Sequence, residues 1–317
     1  MITVYLNGPD GKVMTAPAPR DALGPEAVWV DLFEPTPEEE RTVEAAYGVD
    51  APTPLERAAL EESSRFYEER GALVLTATLL GRRTEGAFIS GPVTFILAGK
   101  TLITVRAVNP RAFDIGRSRA SARIEASMDG AAALTALLEG VVERVADLLQ
   151  ENSKHATELS ARVFKPDAAP HLPVELRTIG RLGALSAMAH DSLASLQRLA
   201  AFASHVCGPY GVDPARMTAL QRDVEQLERV CEAQQEQLTF LLDATLGLVG
   251  AAQNNSLRAI SIATIVFAPP TLIASIFGMN FERLTWFQAP WGPNVAFGLM
   301  AGAAFGLLAI ARWRRWF

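Results

Sequence analysis

The chain has 317 residues, 49% of them hydrophobic and 20% charged, with a formal net charge of −6. That length suits one soluble region of ordinary domain size plus a membrane segment, not several independent enzymes. The acidic balance speaks against nucleic acid as a partner, because phosphate binding needs basic surface, and makes cations the more natural ligands.

Met1-Ile2-Thr3-Val4-Tyr5 lacks the basic and apolar regions of a signal peptide, so the soluble part is expected in the cytoplasm. Up to about Arg106 the pattern predicts strands and helices of an α+β cytoplasmic domain, assigned to residues 1–129. Val28–Leu32, Leu73–Thr78, Val93–Leu97 and Thr101–Val105 are short β-branched or aromatic-rich runs. Pro92 and the Gly99-Lys100 turn bracket a hairpin between the last two. Thr36-Pro37-Glu38-Glu39-Glu40 starts a helix with an N-cap, a proline in the first turn and acidic residues beside the positive end of the dipole.

From Arg111 onward the pattern is helical. Two long helices, 130–164 and 174–206, are separated by Lys165-Pro166-Asp167-Ala168-Ala169-Pro170 and form a hairpin assigned to residues 130–213. After the break at Gly208-Pro209-Tyr210-Gly211, Asp213-Pro214 caps a stalk helix assigned to 214–259. Only isolated glycines interrupt the sequence from Ala215 to Ala268, about 80 Å of helix at 1.5 Å per residue. Leu220, Val224, Leu227, Cys231, Gln234, Leu238, Leu241, Thr245 and Leu248 form a heptad-like seam. It fits a helix packed on its own subunit or a self-associating stalk; the length of the rod favours association. Cys207 and Cys231 have no CxxC spacing and imply neither a disulfide framework nor a zinc knuckle. His155, His171, His190 and His205 are scattered and read as surface or packing residues.

A mean hydropathy of +0.15 hides a split along the chain. Between Ile260 and Ala311 the only charged residues are Glu282 and Arg283. The transmembrane domain, 260–317, has two spans, about 258–277 and 295–311, each long enough for the hydrocarbon core. Arg312, Arg314 and Arg315 after the second span place the C-terminus in the cytoplasm, and two spans return the N-terminal domain to the same side. Pro269-Pro270 predict a kink near Ala268. Helical spacing from Asp243 runs through Gly247, Gly250, Asn254, Leu257, Ser261, Thr264, Ala268, Thr271 and Ser275, a small or polar line. Ile262, Ile265, Val266, Leu272, Ile273 and Ile276 lie away from it. Such a line serves close helix packing or a water-filled path; its continuation to Asn254 and Asp243 favours an aqueous axis between copies of this helix.

The first span ends in Gly278-Met279-Asn280. Between two such spans and after an uninterrupted stalk, this tripeptide resembles the CorA family of divalent-cation channels. Ala268-Pro269-Pro270-Thr271-Leu272-Ile273-Ala274-Ser275-Ile276-Phe277-Gly278-Met279-Asn280 stands where that family runs towards Pro-Leu-Thr and then Tyr-Gly-Met-Asn. Val93–Leu97 followed by Leu102–Arg106 resembles the paired strands of the family's cytoplasmic domain. The resemblance implies a funnel-shaped homopentamer with five stalk helices around a pore. It makes Gly278, Met279 and Asn280 the outer selectivity site, where carboxamide oxygens accept hydrogen bonds from the waters of hydrated Mg²⁺. Asn254 and Thr271 become polar rings, Leu257 part of a hydrophobic gate, and Asp243 a regulatory Mg²⁺ position that holds the channel shut when cytoplasmic Mg²⁺ is plentiful. Ser261, Thr264, Ala268 and Ser275 complete the pore lining. Three positions depart from the family: Phe277 replaces Tyr, Ala268 replaces a bulky gate residue, and Leu284-Thr285-Trp286-Phe287 replaces Met-Pro-Glu-Leu, leaving Glu282 as the loop carboxylate.

The expected function is passive entry of Mg²⁺, with Co²⁺ and Ni²⁺ as further divalent cations, across the cell inner membrane. The alternatives are a zinc transporter of the same superfamily, whose Gly-Gly-Ile-Pro-Gly loop is absent here, and a non-conducting membrane-anchored metal sensor or scaffold. An enzyme is not expected: there is no Walker-type glycine loop, no HExxH and no nucleophile with a partner histidine. Glu38-Glu39-Glu40 and Glu61-Glu62 read as solvated helix faces.

Overall fold

The computed structural model describes residues 1–7, 13–15, 20–58, 65–82, 88–110, 113, 129–165, 169–206, 208–279 and 291–314. They form two compact units, Met1–Phe164 with Val174–Leu242, and Lys165–Pro173 with Asp243–Phe317.

In the first unit, β1 (Ile2–Asn7), β2 (Val13–Thr15), β3 (Ala27–Phe33), β4 (Phe66–Glu69), β5 (Ala72–Arg82), β6 (Phe88–Ala98) and β7 (Thr101–Arg106) make one sheet. Their order is β2-β1-β3-β7-β6-β5-β4, antiparallel throughout except for β3 beside β7. Helix α1 (Pro37–Tyr47) starts as expected: Thr36 and Glu39 form a reciprocal capping box, and Gly48 ends the helix in the left-handed region at φ 65°. A short helix α2 (Pro54–Ala58) precedes β4, and the long helices α3 (Gly130–Val163), α4 (Leu172–Val206) and α5 (Pro214–Phe277) follow the sheet.

Alternation along the strands builds two cores. Leu73, Leu75, Val93, Phe95, Leu97 and Leu102 pack with residues of α3, α4 and α5, among them Leu134, Leu138, Leu193, Leu196 and Val224. Val30, Leu32, Val74, Ile96, Ile103 and Val105 pack on the other face with Val43 of α1. With both faces covered, β7 is buried at every position, which explains its nearly continuous apolar run. The predicted β6–β7 hairpin is present, turning at Gly99 with φ 58°. Pro92 does not bracket it; it lies inside β6 opposite Thr78 of β5. The β7 ladder ends at Val93, so the missing proline N–H removes no bond on that side.

The long helices are tied to the sheet at the backbone. Gly130, first residue of α3, donates its N–H to the Lys100 carbonyl at 2.7 Å, and a Cβ there would lie 2.5 Å from the Leu102 nitrogen. Only glycine permits that approach. The β4 ladder covers β5 from Ala72 to Leu75. Farther along β5, Ser195 and Ser192 of α4 accept the N–H groups of Thr78 (2.8 Å) and Leu80 (3.3 Å). Hydroxyls thus finish an edge that would otherwise leave buried donors unpaired.

The heptad-like seam of α5 is filled from within the chain. Leu220, Val224, Cys231, Gln234, Leu238 and Leu241 are buried. Gln234 donates to the Leu149 carbonyl of α3 at 2.7 Å and accepts from Asn152 at 3.3 Å, while Cys231 donates to the Ser186 carbonyl of α4 at 3.2 Å. The expectation that this seam joins one stalk to another is therefore corrected along these residues: the α3–α4 hairpin occupies it. Gln234 and Cys231 are partners for hairpin groups, not positions facing water. Burial pushes the Cys231 thiol above its usual range.

The parallel β3–β7 pair carries a buried charge network. Arg106 binds Asp31 in a fork, Nε to Oδ1 at 2.9 Å and Nη2 to Oδ2 at 2.8 Å. Thr104 donates to the same Oδ1 at 2.8 Å and accepts from the Trp29 indole at 2.9 Å. The guanidinium lies over Phe33 and Phe113, 4.6 and 4.7 Å from their centroids. With both charged side chains only 2% exposed, losing one partner strands the other in a low-dielectric site. Arg106→Ala is expected to destabilise the soluble unit by about 3–5 kcal/mol, read as a lowered denaturation midpoint by circular dichroism.

Candidate ion-conduction site

The second unit contains the Asp243–Phe277 part of α5 and helix α6 (Gly292–Trp313). Both helices are long and apolar enough to cross a membrane, with mean hydropathies of 2.0 and 1.9 over their best windows. Helix α5 continues through Pro269-Pro270 to Phe277. The two prolines deprive the Ile265 and Val266 carbonyls of their usual donors four residues on.

Burial within this unit separates the faces of α5. Ile262, Ile265, Val266, Pro269, Pro270, Ile273 and Phe277 are half-buried, whereas Asn254, Leu257, Ser261, Thr264, Ala268, Thr271 and Ser275 are all exposed. At about 100° per residue, Thr264, Thr271 and Ser275 fall within about 40° of one another, and Ile273 points about 180° away from Thr264. On α6, Gly292, Ala296 and Ala311 are buried and Met300, Ala303, Ala304 and Leu308 half-buried, a line from the first turn to the last. Cover along that whole length requires a companion helix. The half-buried apolar face of α5 fits that role, and the polar line is left exposed.

The hydroxyls on the free face are oriented. Ser261 donates to the Leu257 carbonyl at 2.8 Å, Thr264 to Ile260 at 3.0 Å, Thr271 to Phe267 at 2.7 Å and Ser275 to Thr271 at 2.9 Å. Each proton is spent inside the helix, so the remaining oxygen lone pairs face outward as acceptors. A line of acceptors without donors suits a hydrated cation, whose bound waters present hydrogens.

At the end of the span Gly278 donates to the Ala274 carbonyl at 2.9 Å and Met279 to Ile276 at 3.3 Å, closing the helix where expected. A Cβ at Gly278 would sit 3.2 Å from the Ala274 oxygen, a tight fit. Met279 is exposed. Asn280, Glu282 and the rest of the loop to residue 290 lie outside the described residues. Asp243 is exposed on α5, and among the described residues no group of three or more His, Cys, Asp or Glu gathers around a common point. The chain thus brings the residues expected to line a pore into one line, and among the described residues no group of metal ligands gathers around Asp243. The sequence pattern located the line; the hydroxyl orientation was not legible there, because a serine in a helix donates back or outward according to its rotamer.

The covered α5–α6 contact has a direct test. Ala296→Leu overfills it and is expected to lower stability by about 1–3 kcal/mol, read as a drop in thermal midpoint in detergent.

Residues 25–315 match the family model described as CorA-like Mg2+ transporter protein. The Salmonella typhimurium protein named magnesium transport protein CorA is 30% identical over 283 residues, covering 88% of this chain and 89% of its own. The Pasteurella multocida protein of the same name is 27% identical over 279 residues, with 88% of each covered. The complete structure of the CorA magnesium transporter from Methanocaldococcus jannaschii superposes with a TM-score of 0.72 over 98% of this chain and 97% of that one. At 17% identity that likeness speaks to the fold, which has the same α+β soluble region, long helices and two C-terminal apolar helices. A family match over nearly the whole chain, joined to this arrangement of helices, makes the protein a member of the CorA-like Mg2+ transporter family.

Proposed function

We propose that this protein is a magnesium transporter: a passive channel that admits Mg²⁺ to the cytoplasm through a pore shared by five copies of the chain. The observation that carries this reading is the exposed line Asn254, Leu257, Ser261, Thr264, Ala268, Thr271 and Ser275, whose hydroxyl protons are held by the helix. Acceptor oxygens facing lipid would be poorly placed, so the line belongs against water and against its own copies. Exposed Gly298, Gly302 and Gly306 on α6, with open space where a Cβ would stand, fit further helix contact between chains.

In this reading, the loop ring of Gly278, Met279 and Asn280 grips hydrated Mg²⁺ at the outer mouth. A small, hard ion that gives up water reluctantly is best selected through its water shell. Asn254 and Thr271 form polar rings along the path, and Leu257, 62% exposed in the single chain, narrows it as a hydrophobic gate. An inside-negative potential drives entry with about 4.6 kcal/mol per divalent ion per 100 mV. Asp243 binds regulatory Mg²⁺ with ligands from a neighbouring copy; occupancy holds the closed arrangement, and loss of the ion releases it. Co²⁺ and Ni²⁺ share the path. The protein sits in the inner membrane with both termini in the cytoplasm, and its task is transport rather than catalysis.

Ion influx into proteoliposomes tests the reading. Wild type is expected to admit Mg²⁺, and Asn280→Ala to lose at least tenfold in influx or in preference over Co²⁺, about 1.4 kcal/mol or more at the mouth. Wild-type protein that is folded and pentameric yet passes no ion would support the sensor or scaffold instead, and passage of Zn²⁺ alone would support the zinc transporter. Asp243→Asn is expected to keep influx but weaken its suppression by Mg²⁺ on the cytoplasmic side. Unchanged suppression would remove Asp243 from the regulatory role.

A further inference from the structure

The arginines at the non-loop end of the two spans form an unassigned feature. Arg258 on α5 and Arg312 and Arg314 at the end of α6 are all exposed, with no hydrogen-bond or ion-pair partner for their side chains among the described residues. Arg258 stands nineteen residues before Phe277, and Arg312 twenty residues after Gly292. At 1.5 Å per residue these are about 28 and 30 Å from the loop ends of the two helices, so in the membrane placement proposed above the guanidinium groups share one depth. That depth matches the thickness of the hydrocarbon core measured from the loop side. Trp313, 84% exposed, lies between two of them and is an interfacial side chain by its amphipathic ring. The nearest described carboxylate on α5 is Asp243, fifteen residues away or about 22 Å along the axis.

We propose that Arg258, Arg312 and Arg314 dock the phosphate headgroups of anionic lipids in the cytoplasmic leaflet. The proposal rests on the membrane placement given above. Three guanidinium forks at one level, without partners among the described residues, match phosphate oxygens bidentately, and the nearest described carboxylate on α5 stands too far along the helix to compete. The apolar faces beside them, including exposed Ile260 and Ile310, accommodate the acyl chains of the same lipid. Cytoplasmic leaflets carry the negative charge that completes the match. Arg258 is the informative member, because it lies on the pore-forming helix and outside the C-terminal basic segment that orientation alone requires.

The full chain is reconstituted in phosphatidylcholine containing a minority of phosphatidylglycerol, extracted in mild detergent, and its retained lipids are counted by mass spectrometry. Wild type is expected to retain phosphatidylglycerol above its share of the mixture. Each of R258Q, R312Q and R314Q lowers that enrichment about fivefold, and the triple variant retains lipid in the bulk ratio. A triple Arg→Lys variant keeps the charge but not the bidentate fork and recovers only part of the enrichment; wild-type enrichment in the glutamine triple variant overturns the proposal. Displacement of bound phosphatidylglycerol by soluble glycerol phosphate would assign a free-anion site and overturn it as well. Mg²⁺ influx in pure phosphatidylcholine separates the two levels. Influx without lipid selectivity overturns only this proposal, whereas wild-type protein stripped from vesicles by alkaline carbonate overturns the membrane placement beneath both.

Discussion

Every backbone donor and acceptor removed from water needs a partner, and much of this molecule is arranged around that obligation. The helices crossing an apolar layer satisfy it internally, which is why α5 and α6 are helical across their most hydrophobic stretches. Where the sheet runs out of strands, Ser192 and Ser195 supply the missing acceptors to β5. Where α5 packs on α3, Gln234 takes up the Leu149 carbonyl, and Gly130 brings the start of α3 close enough to bond Lys100. On the free face of α5 the same demand turns four hydroxyl protons inward and leaves their oxygens as acceptors.

Charge is handled by the same rule at higher cost. Asp31 and Arg106 are buried together, and the fork between them is completed by Thr104, Trp29 and the Asn109 side chain. This network joins the one parallel strand pair among the described strands, where the chain returns to the centre of the sheet after three further strands. The arginines beside the spans are the opposite case: they are exposed, have no partner among the described residues, and are proposed to find their counter-charge in the lipid.

The α5 seam illustrates why a pattern can be read correctly and assigned wrongly. Spacings of three and four specify that one face of a helix is covered, but they are identical for a partner in the same chain and a partner in another copy. Leu220, Val224 and Cys231 share a core with the α3–α4 hairpin, so that part of the seam is not left for a second copy. Pro92 is a similar case. Its place inside β6 depended on where the β7 ladder stops, which no local signal announces.

The sequence by itself determined the features that local chemistry dictates. These are the capped start of α1, the glycine turn between β6 and β7, the long helices, the two apolar spans and the alignment of Asn254 through Ser275 on one helical face. Periodicity and capping act over a few residues, so they survive without knowledge of the fold. Tertiary structure alone decided which covered faces meet, the Asp31–Arg106 pairing across 75 positions and the serines finishing β5. Those relations join residues far apart in the chain, and only folding brings them within bonding distance.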